Sequence, residues 1–159
     1  MLCTLAVLAT MLAATPAQGC PALQSAYQGL LRSSFTMERD LTVRVDGEET
    51  ARQIARISYA DGKVTREILK QEPPGKEMTI DIEGDPAVKL EFDCKSFVPV
   101  ANDRYRYRSA DGEQEILFAL DPQHGALIPV SWTATQTAKF LFIKKKLELI
   151  GENKNFQWR

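Results

Sequence analysis

FTMERDLTVRV, residues 35–45, decides the fold class of this chain. Phe35, Met37, Leu41, Val43 and Val45 fall on one face, with Thr36, Glu38, Asp40, Thr42 and Arg44 opposite. A period of two, apolar on one side and polar on the other, marks a half-buried antiparallel strand. Arg39 alone intrudes on the apolar face. Asp46-Gly47 ends the run with a pair that tolerates positive φ, as a hairpin requires.

Working outward toward the C-terminus, the same grammar repeats. Ala51 to Ala60 forms a strand, Ala60-Asp61-Gly62-Lys63 a hairpin turn, and Val64 to Lys70 the return. Pro73-Pro74-Gly75 breaks the chain. Met78, Ile80 and Ile82 alternate, Gly84-Asp85-Pro86 turns, and Val88, Leu90, Phe92 and Cys94 continue on one face. Residues 95–103 read as a loop. Arg104 to Arg108 and Glu115 to Leu120 flank an Asp111-Gly112 turn, and Asp121 to Gly125 turns again. Ile128, Val130, Trp132 and Ala134 then alternate against Pro129, Ser131, Thr133 and Thr135. Phe140 to Ile150 gives a long strand and Asn155 to Arg159 one more.

Toward the N-terminus, residues 21–34 (PALQSAYQGLLRSS) form the one helix. Pro21 suits a first turn, and Leu23, Tyr27, Leu30 and Leu31 share a face. The expected fold is mainly β (α+β): about nine or ten strands in an antiparallel meander forming an unclosed barrel, with the helix packed on it.

Residues 1–19 read as a signal peptide and 20–159 as a single domain. Leu2 to Ala14 is apolar, has no helical stripe and is too short to span a bilayer. Thr15-Pro16 ends it, and Ala17 and Gly19 stand where a signal peptidase looks for small residues. No Lys or Arg precedes the apolar run. All the charges lie in the remainder, and their net of −1 offers no basic surplus for nucleic acid. The expected location is therefore exported, periplasmic or associated with an outer membrane.

Cys3 would leave with the signal segment, so Cys20 and Cys94 remain. In an oxidising compartment two cysteines point to one disulfide. Alternatively, Ala17-Gln18-Gly19-Cys20 has the small residue that precedes an acylated cysteine, although Ala and Gln replace the residues a lipobox prefers further upstream.

Chemistry-bearing residues are sparse, and no catalytic residue, cofactor site or metal site is assigned. His124, the single histidine, sits in a turn, and no Gly-x-Ser-x-Gly elbow precedes it. One histidine without a thiolate cluster makes a poor zinc site. Asp81, Glu83, Glu91 and Asp93 fall on the polar phase of their runs, as solvated carboxylates do. Arg104, Arg106 and Arg108 line one side of a strand and need carboxylates or an anion nearby. Glu113 and Glu115 across the hairpin are the expected partners, with a lipid head group or an anionic envelope protein as the alternative. Lys144, Lys145 and Lys146 read as solvation and protection of an edge strand.

A curled sheet needs something against its concave face. Phe35, Met37, Met78, Ile80, Leu90, Phe92, Phe118, Val130 and Trp132 are the candidates to line it. They are either a core closed by the helix or the wall of a cavity for an apolar ligand.

The N-terminal helix running into Ser34-Phe35-Thr36, the serial meander, and Leu120-Asp121-Pro122 followed by Gly125, Leu127 and Pro129 carry a resemblance. In these features the chain resembles the LolA/LolB-like and RseB-like envelope proteins. The resemblance implies an unclosed barrel with an apolar cavity, and a non-enzymatic role that binds an acyl chain, lipid or lipoprotein. Arg39 would correspond to the buried arginine with which the carriers latch a helical lid, but this chain shows no second helical insertion to form one. An envelope adaptor with a filled core, acting through its surface, is the alternative.

Overall fold

A computed structural model of the chain describes residues 19–74, 85–140 and 142–159, with residues 138–140 as backbone only. The expected signal segment up to Gln18 therefore lies outside the described residues.

Helix α1 (Cys20–Arg32) starts at Gly19, with Pro21 in its first turn, and buries Leu23, Ala26, Tyr27 and Leu30. Eight strands follow: β1 (Phe35–Val45), β2 (Glu48–Ala60), β3 (Lys63–Glu72), β4 (Phe97–Ala101), β5 (Arg104–Arg108), β6 (Gln114–Asp121), β7 (Ala126–Phe140) and β8 (Ile143–Trp158). They form one sheet in the order β3-β2-β1-β8-β7-β6-β5-β4, and every neighbouring pair is antiparallel.

The order explains the shape. In a simple meander, β1 and β8 would be the outer strands; here they pair with each other, from Phe35↔Trp158 to Val45↔Leu147. The edges are instead β3 and β4, and of the chain between them residues 85–93 lie over the inner face. This is the expected mainly-β, unclosed half-barrel, opened between β3 and β4. Helix α1 packs mainly on β7. Its close approach depends on Gly29, where a Cβ would lie 2.8 Å from the Gly125 carbonyl oxygen.

The turns follow from their residues. Asp46-Gly47 and Asp61-Gly62 both adopt positive φ, the demand of a tight hairpin that Asp and Gly meet at low cost.

Several expectations are corrected. Val88 to Cys94 is not a strand: residues 86–93 are turns and coil, and Cys94–Ser96 is a 3-10 turn. An extended chain lying on a core shows a period of two whether or not an edge is free to pair with it. Residues 95–103 are not all loop, because Phe97–Ala101 forms edge strand β4. The two final strands are one, β8, continuing through an irregularity opposite Thr36 and Glu38 where Asn155 adopts positive φ. The described residues thus hold eight strands rather than nine or ten. The expected strand around Met78, Ile80 and Ile82 lies outside the described residues.

Candidate ligand-binding cleft

The concave face starts from β1. Phe35, Met37, Leu41 and Val43 are buried on it, and Arg39 is buried among them. The guanidinium has found partners. Its Nε–H donates to Asn153 Oδ1 at 2.8 Å, and Asn153 Nδ2 in turn donates to the Pro129 carbonyl at 3.1 Å. The Arg39 guanidinium lies 5.8 Å from the centre of the Trp132 ring. Gly151 leaves room for both: a Cβ there would stand 3.3 Å from Arg39 Cδ and 3.3 Å from Trp132 Cε3.

The remaining partner comes from the segment that lies over the inner face. Asp85 Oδ2 lies 2.7 Å from Arg39 Nη2, close enough for an ion pair though not aligned as a hydrogen bond. Asp85 Oδ1 accepts the Ala87 N–H at 2.9 Å, which fixes the start of that segment. Three further ties hold it. Tyr27 Oη donates to the Leu90 carbonyl at 3.4 Å, Phe92 stacks between Tyr27 and Phe97, and Cys94 is bonded to Cys20. Residues 85–93 thus form a cover over the inner face without strand pairing. Burial raises the Tyr27 hydroxyl pKa well above its ordinary value, and the neighbouring Tyr59, Tyr107 and Asp85 reinforce the shift against the Leu90 hydrogen bond.

Beside this cover lies a half-open cleft of about 590 Å³. Leu90 of the cover forms one wall, and Tyr107, Gln114 and Trp132 of the sheet the other. Among its lining residues Glu91, Asp93 and Asp111 set three carboxylates against one cation, Lys89. Trp132 Nε1 is buried without a hydrogen-bond partner.

The sequence candidates divide accordingly. Phe35, Met37 and Phe118 are fully buried and belong to the core. Leu90 and Trp132 line the cleft, and Phe92 is half-buried against the core. Val130 is corrected: Leu117 pairs with Ser131 but Phe118 with Pro129, so Val130 is the extra residue of a bulge and leaves the inward phase. That is why Leu127 and Pro129 are buried before it and Trp132 and Ala134 after it. Met78 and Ile80 lie outside the described residues. Asp85, Asn153, Tyr107 and Phe97 complete the arrangement and were not read from the sequence; only the intrusion of Arg39 signalled that a buried anion had to exist.

The disulfide resolves the choice at Cys20, whose sulfur is bonded to Cys94 with the Cα atoms 5.6 Å apart, so that sulfur is not available to carry an acyl thioether. Arg106 and Arg108 both pair with Glu115, at 3.4 and 2.8 Å. His124 Nδ1 lies 2.8 Å from Asp121 Oδ2, which also accepts the Trp158 indole N–H. Glu91 and Asp93 are exposed. Among the described residues no group of three or more His, Cys, Asp or Glu is placed to hold a metal, and no helix is long and apolar enough to cross a membrane.

Among solved structures the chain is similar to a LolA superfamily protein from Nitrosomonas europaea, at 7 % identity over 87 % of this chain and 92 % of that one, with a TM-score of 0.26. No family model and no curated protein matches the chain. The half-barrel assignment rests on strand order and register.

Proposed function

We propose that this chain is a non-enzymatic exported protein, periplasmic or associated with an outer membrane, that holds an apolar ligand against the inner face of its half-barrel. The ligand class is an acyl chain, a lipid or a lipid-modified protein. The observation that carries this reading is the cleft of about 590 Å³ between the sheet and a cover that has no strand pairing. Its volume falls within the range of small-molecule sites, and Leu90, Tyr107 and Trp132 give it apolar and aromatic surface within a lining that is otherwise largely polar. The acidic lining favours an ester- or amide-linked acyl chain over a free fatty acid, whose carboxylate would meet Glu91, Asp93 and Asp111.

Titration with a fluorescent acyl ester that brightens in apolar surroundings tests the reading. Saturable one-to-one uptake, weakened about tenfold by Leu90→Glu, is expected from placing a charge in an apolar wall. Uptake that ignores Leu90→Glu, or no saturable uptake, contradicts it.

A second reading, an adaptor acting through its surface, is favoured by the burial of Phe35, Met37 and Phe118 in a filled core. It would use the groove of about 460 Å³ beside Arg106, Arg108 and exposed Val98. The pairing of both arginines with Glu115 reduces the charge available there, which places this reading second.

A further inference from the structure

Strands β7 and β8 outrun the sheet they belong to. Strand β6 pairs with β7 only as far as Ala134, and β1 pairs with β8 only as far as Leu147. Thr135 N–H still donates to the Glu113 carbonyl, and Lys146 N–H to Asp46 Oδ1, each at 2.8 Å. Beyond these ties β7 and β8 pair only with each other, out to Phe140↔Ile143. At about 3.3 Å per residue the two-stranded ribbon projects roughly 15 Å from the sheet.

Its end is apolar. Phe142 is 100 % exposed and Ile143 61 %. Directly behind them come Lys144, Lys145 and Lys146, all exposed. Lys146 pairs with Glu148 at 2.6 Å, whereas Lys144 and Lys145 have no carboxylate partner among the described residues. Edge protection suits these lysines in part, because at Lys144 and Lys145 β8 pairs with β7 alone, but it leaves the exposed apolar tip unexplained. A large apolar side chain at the end of a projecting ribbon gains nothing from the fold, and an apolar tip behind which cations are ranked is suited to a lipid interface.

We propose that the β7–β8 ribbon docks the protein on an anionic phospholipid surface, with Phe142 and Ile143 entering the interface and Lys144 and Lys145 among the phosphates. Charge selects this occupant over a second copy of the chain, since two tips meeting would bring their lysines together. Size selects it over a protein partner: the end of a single two-stranded ribbon falls far below the roughly 1,200 Å² of a stable protein–protein interface. The ribbon residues are not among those lining the cleft, so the proposal stands or falls independently of the ligand.

Flotation of the full chain with phosphatidylglycerol–phosphatidylcholine vesicles, compared with phosphatidylcholine alone, tests it. The protein should rise with the anionic vesicles. Binding should weaken by about tenfold or more in Phe142→Ser/Ile143→Ser and in Lys144→Glu/Lys145→Glu, and raised salt should mimic the second loss. All four positions are exposed, so circular dichroism should show the fold intact. The apolar run Leu2 to Ala14 is common to every variant and cancels in the comparison. Because a wild-type contribution from that run could mask the tip, Phe142→Trp supplies a local readout: brominated acyl chains should quench its added indole fluorescence. Equal vesicle binding by all variants together with an unquenched indole overturns the proposal. So does a dimer in sedimentation that Phe142→Ser dissolves while no vesicle is bound.

Discussion

Arg39 Nη2 lies 2.7 Å from Asp85 Oδ2, and the two side chains are 4 % and 1 % exposed. The pair joins the middle of β1 to the first described residue of the segment that covers the inner face. Both charges are otherwise engaged, Arg39 with Asn153 and Asp85 with the Ala87 N–H. Desolvating two ions offsets most of their attraction, so such a pair adds little net stability while it is intact. It matters when it is broken, because the survivor is a buried charge with no counterion.

Removing one partner should therefore be severe. Arg39→Met or Asp85→Ala should each cost about 3–5 kcal/mol, read as a fall in the urea midpoint. The double variant Arg39→Met/Asp85→Leu should recover most of that loss. Hydrogen exchange should rise in residues 85–93 of the single variants, where the cover is released. Losses that simply add in the double variant would show that the two residues are not coupled.

The Cys20–Cys94 bond closes a loop with a sequence separation of 74 and anchors α1 to the end of the cover. In the chain-entropy model it contributes on the order of 4 kcal/mol. Cys20→Ser/Cys94→Ser should lower stability by roughly 2–4 kcal/mol in denaturant, and adding a reductant to that variant should have no further effect.

Gly29→Ala tests the seating of α1. A new Cβ would stand 2.8 Å from the Gly125 carbonyl oxygen and 3.2 Å from Ala126 Cβ. The intrinsic gain of Ala over Gly in a helix is about 1 kcal/mol, and forcing the helix off β7 costs about 1–3 kcal/mol. A lower Tm is expected. A higher one would mean that α1 has slack against β7.

Stability should fall at both ends of the pH range. A hydrogen bond from Arg52 holds the Asp40 carboxyl below 3.8, with partial burial opposing and the charges of Arg52 and Lys154 assisting. Its contribution is complete above that unfolded value and is lost as pH falls through the lower folded one. Tyr27 behaves in the opposite sense: burial raises it above 10.0, so its contribution is complete below that pH and lost as pH rises beyond it. Denaturant midpoints across pH should show both limbs. Tyr27→Phe should flatten the alkaline one in part, since burial also raises Tyr107. An unchanged alkaline limb would remove Tyr27 as a cause.

What the sequence revealed and what it hid have physical reasons. Phe35 to Val45 was legible because one face of β1 is buried and the other is half-open, which writes a period of two into the residues. The same period misled at Leu90 and Phe92, which face the core without belonging to a ladder. Phe97–Ala101 was hidden by Pro99, which is tolerable only because β4 is an edge. Val130 was misphased by a bulge, and no residue type announces one reliably. The intrusion of Arg39 was visible, but Asp85 lies beside Pro86 in what reads as a solvated turn, so its burial depended on the tertiary path of the cover.

The central claim is that the cleft beside Leu90 and Trp132 holds an acyl-bearing ligand, and native mass spectrometry of protein purified gently from its own host's envelope tests it most directly. The account predicts one reproducible extra mass, that of a lipid or acylated molecule, which disappears in Leu90→Glu. Bare protein at its calculated mass less two hydrogens, with or without that substitution, would contradict the cleft as a lipid site and turn attention to the surface beside Arg106 and Arg108.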